Sequence, residues 1–502
     1  METLRFKNYR CFEDTGAIEI RPVTVLIGAN SSGKSSFLKF FPLLKQSMGE
    51  MVNGTFLWAG PLVDLKDFSN TVRDGQNEIV IEYTIDSLPI NRAVPTRPRN
   101  VLNSVVLKLH LAMRDQMFDY LRELEVKTSD FLLTVYYNED STSLVILNEI
   151  KSNQIQDVIH WGVNSALIPK LYFETHEKKR SIDEYSDNTR EILVELFKEM
   201  GWEEDMWRRF LSSYLLDVYR KRDIVSLLER YDKRRVNQGK YDYIADLIRY
   251  YHVNKLIDSI NIYFLFMARK MTYVKPLRAI AERYYRYQNY SVQEIDADGK
   301  NLPMFYSSLS KDAFDNLNQW FWNIFRFTLE LRSDGGHIEM LIKQDGEKEA
   351  RNLTDLGFGY TQVLPILTIL WKVIMVDCIN GDDESRDICK THIVAIEQPE
   401  LHLHPRYQGL FVKMMERVID TCKQEKKDIR IIIETHSEII INRLGKIVAE
   451  EQSGIEIGDV NVVVFNGVSE GLKKYVVQTT YDNDGFIKDW PYGFFSDYVD
   501  RD

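Results

Sequence analysis

The chain is poor in cysteine, with four in 502 residues (Cys11, Cys378, Cys389 and Cys422) and no CxxC pair. That spacing speaks against a disulfide framework and a structural zinc site and suits a reducing compartment. Long apolar runs are also missing. The longest, residues 259–268 between Asp258 and Arg269, is about half of what a bilayer crossing needs. The opening Met1 to Lys7 has no basic stretch followed by an apolar one. Neither a membrane span nor a secretion signal is expected, and the expected location is cytoplasmic. Positive charge is in deficit, at a net −11, which argues against an unspecific coat on a polyanion while leaving room for a local basic groove. Proline is absent between Asp187 and Tyr273, and glycine occurs there only at Gly201 and Gly239. Leucine, isoleucine and aromatic residues recur through that stretch at helical spacing, so it is expected to be helical.

What is present is a globular composition, 44% hydrophobic, in a length that suits two to four domains. Near its start the apolar, β-branched run Val23 to Ile27 reads as a buried parallel strand. It leads into Gly28-Ala29-Asn30-Ser31-Ser32-Gly33-Lys34-Ser35, which fits GxxxxGK[ST] at every position. Such a loop cradles a polyphosphate, because free amides and the dipole of the following helix face the anion. Gly28 and Gly33 let the backbone curl, Lys34 reaches the β and γ oxygens, and the Ser35 hydroxyl ligates Mg²⁺. Asn30, Ser31, Ser32 and Ser36 complete the expected nucleotide lining. ATP and Mg²⁺ are the expected cofactors.

Far downstream, Ile393 to Ile396 is a second buried strand ending in Glu397-Gln398-Pro399-Glu400. Glu397 is placed to hold Mg²⁺ through water. A third apolar run, Ile431 to Ile433, enters Glu434-Thr435-His436-Ser437. His436, just beyond a strand that neighbours the phosphate strand, is suited to touch a γ-phosphate.

Further strands are expected at Leu4 to Tyr9, Ala17 to Ile20, Glu78 to Ile85, Val105 to Leu111, Phe131 to Tyr137 and Ser143 to Ile150, the last two joined by a turn over Asn138 to Thr142. A helix is expected from Lys34 to Lys45. The expected class is α/β, with residues 1–165 as an N-terminal lobe rich in antiparallel sheet, 166–275 as a helical insertion and 276–502 as a C-terminal lobe.

With these residues the chain resembles the ABC-type ATPase heads of the RecF, SMC and OLD group. The opening Leu4 to Phe12, the phosphate loop, Asp355 to Pro365, Glu397 to Pro405 and Glu434 to Ser437 carry the resemblance. Among that group it is most similar to the OLD-like ATPases of bacterial antiviral defence, such as the ATPase subunits of PARIS and Septu. The resemblance implies a P-loop ATPase head in which Gly357, Gly359, Thr361 and Gln362 touch the nucleotide of an opposing subunit. It also implies a homo-oligomer, a dimer of heads at least or a larger ring, that sandwiches ATP. OLD nucleases carry a further nuclease domain after the head, and residues 437–502 are too few for one, so the expected effector is a separately encoded protein. The terminal Trp490 to Phe495 resembles the ending of other bacterial ATPases of this group. One departure stands out. ABC heads place a glutamate after the Walker B acid, and here it is Gln398, which orients a water without taking its proton. Slow hydrolysis, or a catalytic role for Glu400, is expected. His402 and His404 are expected on the loop between two sites, with a metal pair as the competing reading.

Between Arg208 and Lys255 twelve Lys or Arg face six acids, and tyrosines 214, 219, 231, 241, 243, 250 and 251 are interleaved. This suits a nucleic-acid backbone with stacked bases, or a viral trigger protein. A solvated, salt-bridged helical hairpin is the competing reading. A DNA-repair or chromosome-maintenance clamp of RecF or SMC type is the alternative function. Arg278 is expected near the nucleotide, at the opposing head, or in an ordinary salt bridge.

Overall fold

A computed structural model describes residues 2–50, 52–90, 100–114, 118–129, 131–138, 143–147, 167–169, 189–213, 221–232, 238–287, 292–375, 389–465 and 476–488. Trp490 to Phe495, Cys378, Tyr214, Tyr219 and the turn residues 139–142 lie outside them. The chain divides into two compact units, one of residues 1–17, 46–59 and 65–266, the other of 18–45, 60–64 and 267–502.

The second unit is built on a six-stranded sheet in the order Met271–Val274, Thr391–Glu397, Asp428–Glu434, Val23–Gly28, Val460–Phe465, Val476–Thr479. The first five strands run parallel, and only the last pair is antiparallel. Every residue of Val23–Gly28, Thr391–Glu397 and Val460–Phe465 is buried, as expected of parallel strands covered on both faces. The covering helices include Phe358–Lys372, Pro405–Gln424 and Glu438–Ala449, which pack Ile366, Leu370, Phe411, Val418, Ile440 and Leu444 into one core with the strands. A smaller antiparallel sheet is formed by Tyr285–Arg286, Phe327–Asp334, His337–Gln344 and Arg351–Asn352.

Register does the positioning. Glu397 pairs with Glu434 across two parallel strands, and Glu434 pairs with Leu26, so three strand ends carry their polar residues to the same edge as the phosphate loop. Ligands of open α/β sheets bind at the carboxyl ends of the strands. The helix expected over Lys34 to Lys45 is two helices, Lys34–Leu38 and Phe40–Gly49. Pro42 lacks the N–H that would bond the carbonyl of Leu38, and the break falls between them.

The first unit has an antiparallel sheet in the order Phe12–Asp14, Thr3–Tyr9, Glu78–Ile90, Asn100–Arg114, Phe118–Lys127, Leu132–Tyr137, Ser143–Leu147. The strand Phe118–Lys127 was not expected from the sequence. Its outward Glu123 and Glu125 dilute the apolar alternation, yet Lys108 of the neighbouring strand donates to Glu125 at 2.9 Å. The helical stretch resolves into Thr189–Glu199, Glu204–Ser213, Lys221–Tyr231 and Gln238–Arg269. These share a core of their own, including Phe197, Trp202, Trp207, Leu228 and Ile244.

Candidate functional site

The phosphate loop owes its shape to left-handed backbone at Ser31 (φ 61°) and Gly33 (φ 103°). At Gly28 the chain passes so close to Phe465 that a Cβ would lie 2.2 Å from its carbonyl oxygen and 2.9 Å from Ser32 Oγ. Lys34 is 3% exposed, and its Nζ donates to the carbonyls of Gly28 (3.0 Å) and Ala29 (2.7 Å). Burial lowers its pKa, against the pull of the Glu434 and Glu400 charges.

Around that loop stand three carboxylates, Glu397 and Glu434 buried and Glu400 half-buried. Glu434, at the end of the strand beside the phosphate strand, accepts the Ser35 hydroxyl at 2.8 Å through Oε1. Its pKa is pushed up to about 7, by burial first and then by the charge of Glu397, with the Ser35 bond and Lys34 and Lys39 pulling the other way. Glu397 accepts the phenolic hydrogen of Tyr273 at 2.6 Å. Burial raises its pKa too, against Lys39, the Tyr273 bond, Arg278 and Lys275. Glu400 is tied by both oxygens, to the His436 N–H at 2.7 Å and the Thr435 hydroxyl at 2.8 Å. Burial again raises its pKa above the ordinary carboxylate value. It therefore links the loop after the acidic strand to the loop that carries His436.

Gln398 sits in left-handed backbone (φ 42°), an uncommon state for a non-glycine residue, and its N–H donates to the Glu434 carbonyl at 2.8 Å. Arg278 is 5% exposed and donates through Nη2 to the backbone carbonyl of Glu397 at 3.0 Å, with a longer contact to that of Gln398. Its Nε and Nη1 are buried without a hydrogen-bond partner among the described residues, and burial lowers its pKa to about 10. Among the described residues it makes no ion pair, so it sits beside the acids and not in an ordinary salt bridge. His436 is half-buried, with its pKa lowered by burial and by Lys34.

Gly359, Thr361 and Gln362 stand on the first turns of Phe358–Lys372, entered through Gly357 at φ 80°. Thr361 lines a cleft of about 660 Å³ with Tyr285, Asp298, Asn301 and Leu364, none of them from the phosphate loop. His404 caps the helix Pro405–Gln424 by accepting the Arg406 N–H through Nδ1. In the basic helical stretch, Tyr241 is buried and donates to Asp232 at 2.7 Å, and Tyr251 is buried under the Lys255 ammonium. Arg208 pairs with Glu204 and Lys240 with Glu199, and among the described side chains of this stretch Tyr231 and Tyr243 are exposed rings. Sequence reasoning singled out neither Glu434 nor Tyr273 as a site residue. The available signal was that each ends or precedes the end of an apolar strand, as Glu397 does.

A hydroxyl, a lysine and paired carboxylates fit a magnesium nucleotide, since Mg²⁺ takes oxygen ligands and its nucleotide brings the phosphates. A family model described as AAA ATPase domain matches residues 1–441. Endonuclease GajA of Bacillus cereus (strain HuB5-5) is 25% identical over 262 residues, covering 44% of this chain and 35% of that protein. The match thus spans about a third of that curated relative's length. Solved structures with related shape include the Smc head domain bound to the C-terminal domain of ScpA derived from Pyrococcus furiosus, with TM-score 0.35, 11% identity and 96% and 97% of the two chains covered. Another is the SMC head domain from Thermotoga maritima, with TM-score 0.34, 10% identity and 96% and 98% covered. Among the described residues no helix is long and apolar enough to cross a membrane.

Proposed function

The chain belongs to the AAA ATPase domain family, and from that premise we propose that it is an OLD-like, ABC-type ATPase that binds ATP with Mg²⁺ and hydrolyses it slowly. The observation that carries this reading is the convergence of Lys34 and Ser35 with Glu397, Glu400 and Glu434 at the strand ends. Ser35 and Glu397 would hold Mg²⁺, and the bound ion would neutralise charge developing on the β and γ oxygens. Lys34 leaves the carbonyls of Gly28 and Ala29 for the phosphates. Tyr273 and the backbone contact of Arg278 fix the acidic loop, and Gln398 orients the attacking water without accepting its proton. His436 is positioned by Glu400 through its own N–H, with its ring free to meet the γ-phosphate.

On this reading two heads close on ATP, with Gly359, Thr361 and Gln362 meeting the partner's nucleotide, and release on hydrolysis. The assembly would sense a trigger and control a separately encoded effector, a nuclease in antiviral defence; the partial match to a protein named an endonuclease supports the link to nuclease action alone. The test is the mass of the protein in solution with and without ATP and Mg²⁺, with Lys34→Ala as control. An ATP-dependent rise lost in the variant is expected, and a mass indifferent to ATP in the wild type rules out the closing switch. Steady-state turnover of Gln398→Glu should exceed the wild type tenfold or more; an equal rate removes Gln398 from the mechanism.

The second reading is a DNA clamp, favoured by the basic excess of residues 208–255 and the exposed Tyr231 and Tyr243. It requires duplex binding that falls steeply with added salt and turnover stimulated by DNA.

A further inference from the structure

Among the described residues Ser35 has one carboxylate partner, and it is not the acid that ends the expected magnesium-binding strand. Its hydroxyl donates to Glu434 Oε1 at 2.8 Å, while Glu397 is held by Tyr273. Glu434 is 3% exposed, and its second oxygen, Oε2, is buried with no hydrogen-bond partner among the described residues. No ion pair takes Glu434 among the described residues, because the nearest lysine of the loop, Lys34, spends its ammonium on two backbone carbonyls. Lys39 and Lys34 act on it only through space, and the Glu397 charge opposes them.

The register makes the arrangement costly for the protein alone. Glu397 and Glu434 are direct partners on adjacent parallel strands, whose backbones run about 4.8 Å apart. Carboxylates on such register partners, both out of water, repel, and burying such a charge unpaired costs several kcal/mol (order of magnitude). A buried oxygen left without a partner calls for an explanation, and an ion site is one of the few available. A hydroxyl and two carboxylates at one edge are the donor set that a hard divalent cation takes.

From these contacts we infer that Glu434 is a ligand residue of the divalent-cation site: Oε1 keeps the hydrogen of the Ser35 hydroxyl, and Oε2 faces the cation or a water bound to it. The inference rests on the reading of the loop as a nucleotide site and adds a residue to it. Glu434 then does two things. It fixes the Ser35 hydroxyl so that its lone pairs point away from Oε1, and it brings a second negative charge beside Glu397.

The experiment separates nucleotide from cation. Affinity for a fluorescent, non-hydrolysable ATP analogue is measured in EDTA. Mn²⁺ affinity is then measured by electron paramagnetic resonance at saturating analogue, for wild type, Glu434→Gln and Glu434→Asp. Glutamine still accepts from Ser35, so Glu434→Gln should keep its EDTA affinity within twofold and lose Mn²⁺ affinity tenfold or more, with Glu434→Asp between it and the wild type. Unchanged Mn²⁺ affinity in Glu434→Gln overturns the assignment. Wild-type protein that binds no analogue in either medium refutes the nucleotide reading itself. Iron(II) in place of Mn²⁺ gives a readout on the unsubstituted chain, because peroxide-driven cleavage falls beside metal ligands. Cuts next to residues 35, 397 and 434 are expected, and cuts at the first two alone overturn the role of Glu434.

Discussion

Gly28 shows how much one missing methyl group can decide. The phosphate strand lies against Val460–Phe465 in parallel register, with Gly28 opposite Phe465. An alanine there would set its Cβ 2.2 Å from a backbone carbonyl that a side-chain rotation cannot move, at a φ of 149° that L residues rarely adopt. Gly28→Ala should therefore destabilise by about 2 kcal/mol or more. Because the loop must shift to relieve the overlap, nucleotide affinity should fall at least tenfold as well. Thermal melting together with analogue binding checks both, and a variant that melts and binds like the wild type would show that the loop has room the geometry denies.

Among the elements, two helices allow quantitative predictions. Gly445 lies inside Glu438–Ala449, where alanine is ordinarily better by about 1 kcal/mol. Here a Cβ would meet the Gly485 carbonyl at 2.1 Å and the Tyr481 ring at 2.9 Å, while Tyr481 donates to the Ile441 carbonyl at 2.8 Å. Overpacking costs about 1–3 kcal/mol, so it outweighs propensity, and Gly445→Ala should lower the melting temperature. The long helix Gln238–Arg269 buries His252 with neither ring nitrogen hydrogen-bonded. Burial first, then the neighbouring Lys255, lowers its pKa to about 3 from 6.5. The unfolded chain takes up this proton before the fold does, so the contribution is complete above about pH 6.5 and is lost as pH falls toward 3. The slope is at most about 1.4 kcal/mol per pH unit. Melting between pH 7.5 and 5 should show it, and His252→Phe, which keeps the ring contact with Tyr251, should flatten that dependence; an unflattened curve assigns the acid sensitivity to other groups.

At the scale of the molecule, the residues of the proposed nucleotide site all belong to the unit of residues 18–45, 60–64 and 267–502. A ligand that binds only the folded form stabilises it by about 2.7 kcal/mol at a hundredfold excess over Kd. Magnesium ATP should therefore slow amide exchange in Val23–Gly28, Thr391–Glu397 and Asp428–Glu434, and Lys34→Ala should abolish the effect. Equal slowing in the variant would place the bound nucleotide elsewhere. Because the chain forms two units, each melting effect is assigned to the unit that holds the substituted residue, and local exchange reads that unit directly.

The local chemistry of this protein was legible in its residues. The glycine and lysine of the phosphate loop, the apolar strands that end in Glu397 and before His436, and the described helices between Asp187 and Arg269 each need only neighbours in the chain to declare themselves, whereas the helical stretch expected as far as residue 275 stops at Arg269 because Met271–Val274 pairs with Thr391–Glu397 as a strand. Boundaries that depend on one residue's bonding, such as the break before Pro42, were less visible, and the strand Phe118–Lys127 was hidden by charges that only its neighbour explains. Tertiary structure alone decided which acid takes the Ser35 hydroxyl. Ser35 and Glu434 are 399 positions apart, and the bond between them exists because Asp428–Glu434, and not Thr391–Glu397, pairs with the phosphate strand. Strand order and register are set by how buried faces pack across the whole sheet, so no local pattern carries them. The same reason placed Tyr273 on Glu397 and Arg278 against the backbone of the acidic loop, contacts whose partners the sequence separates by more than a hundred residues.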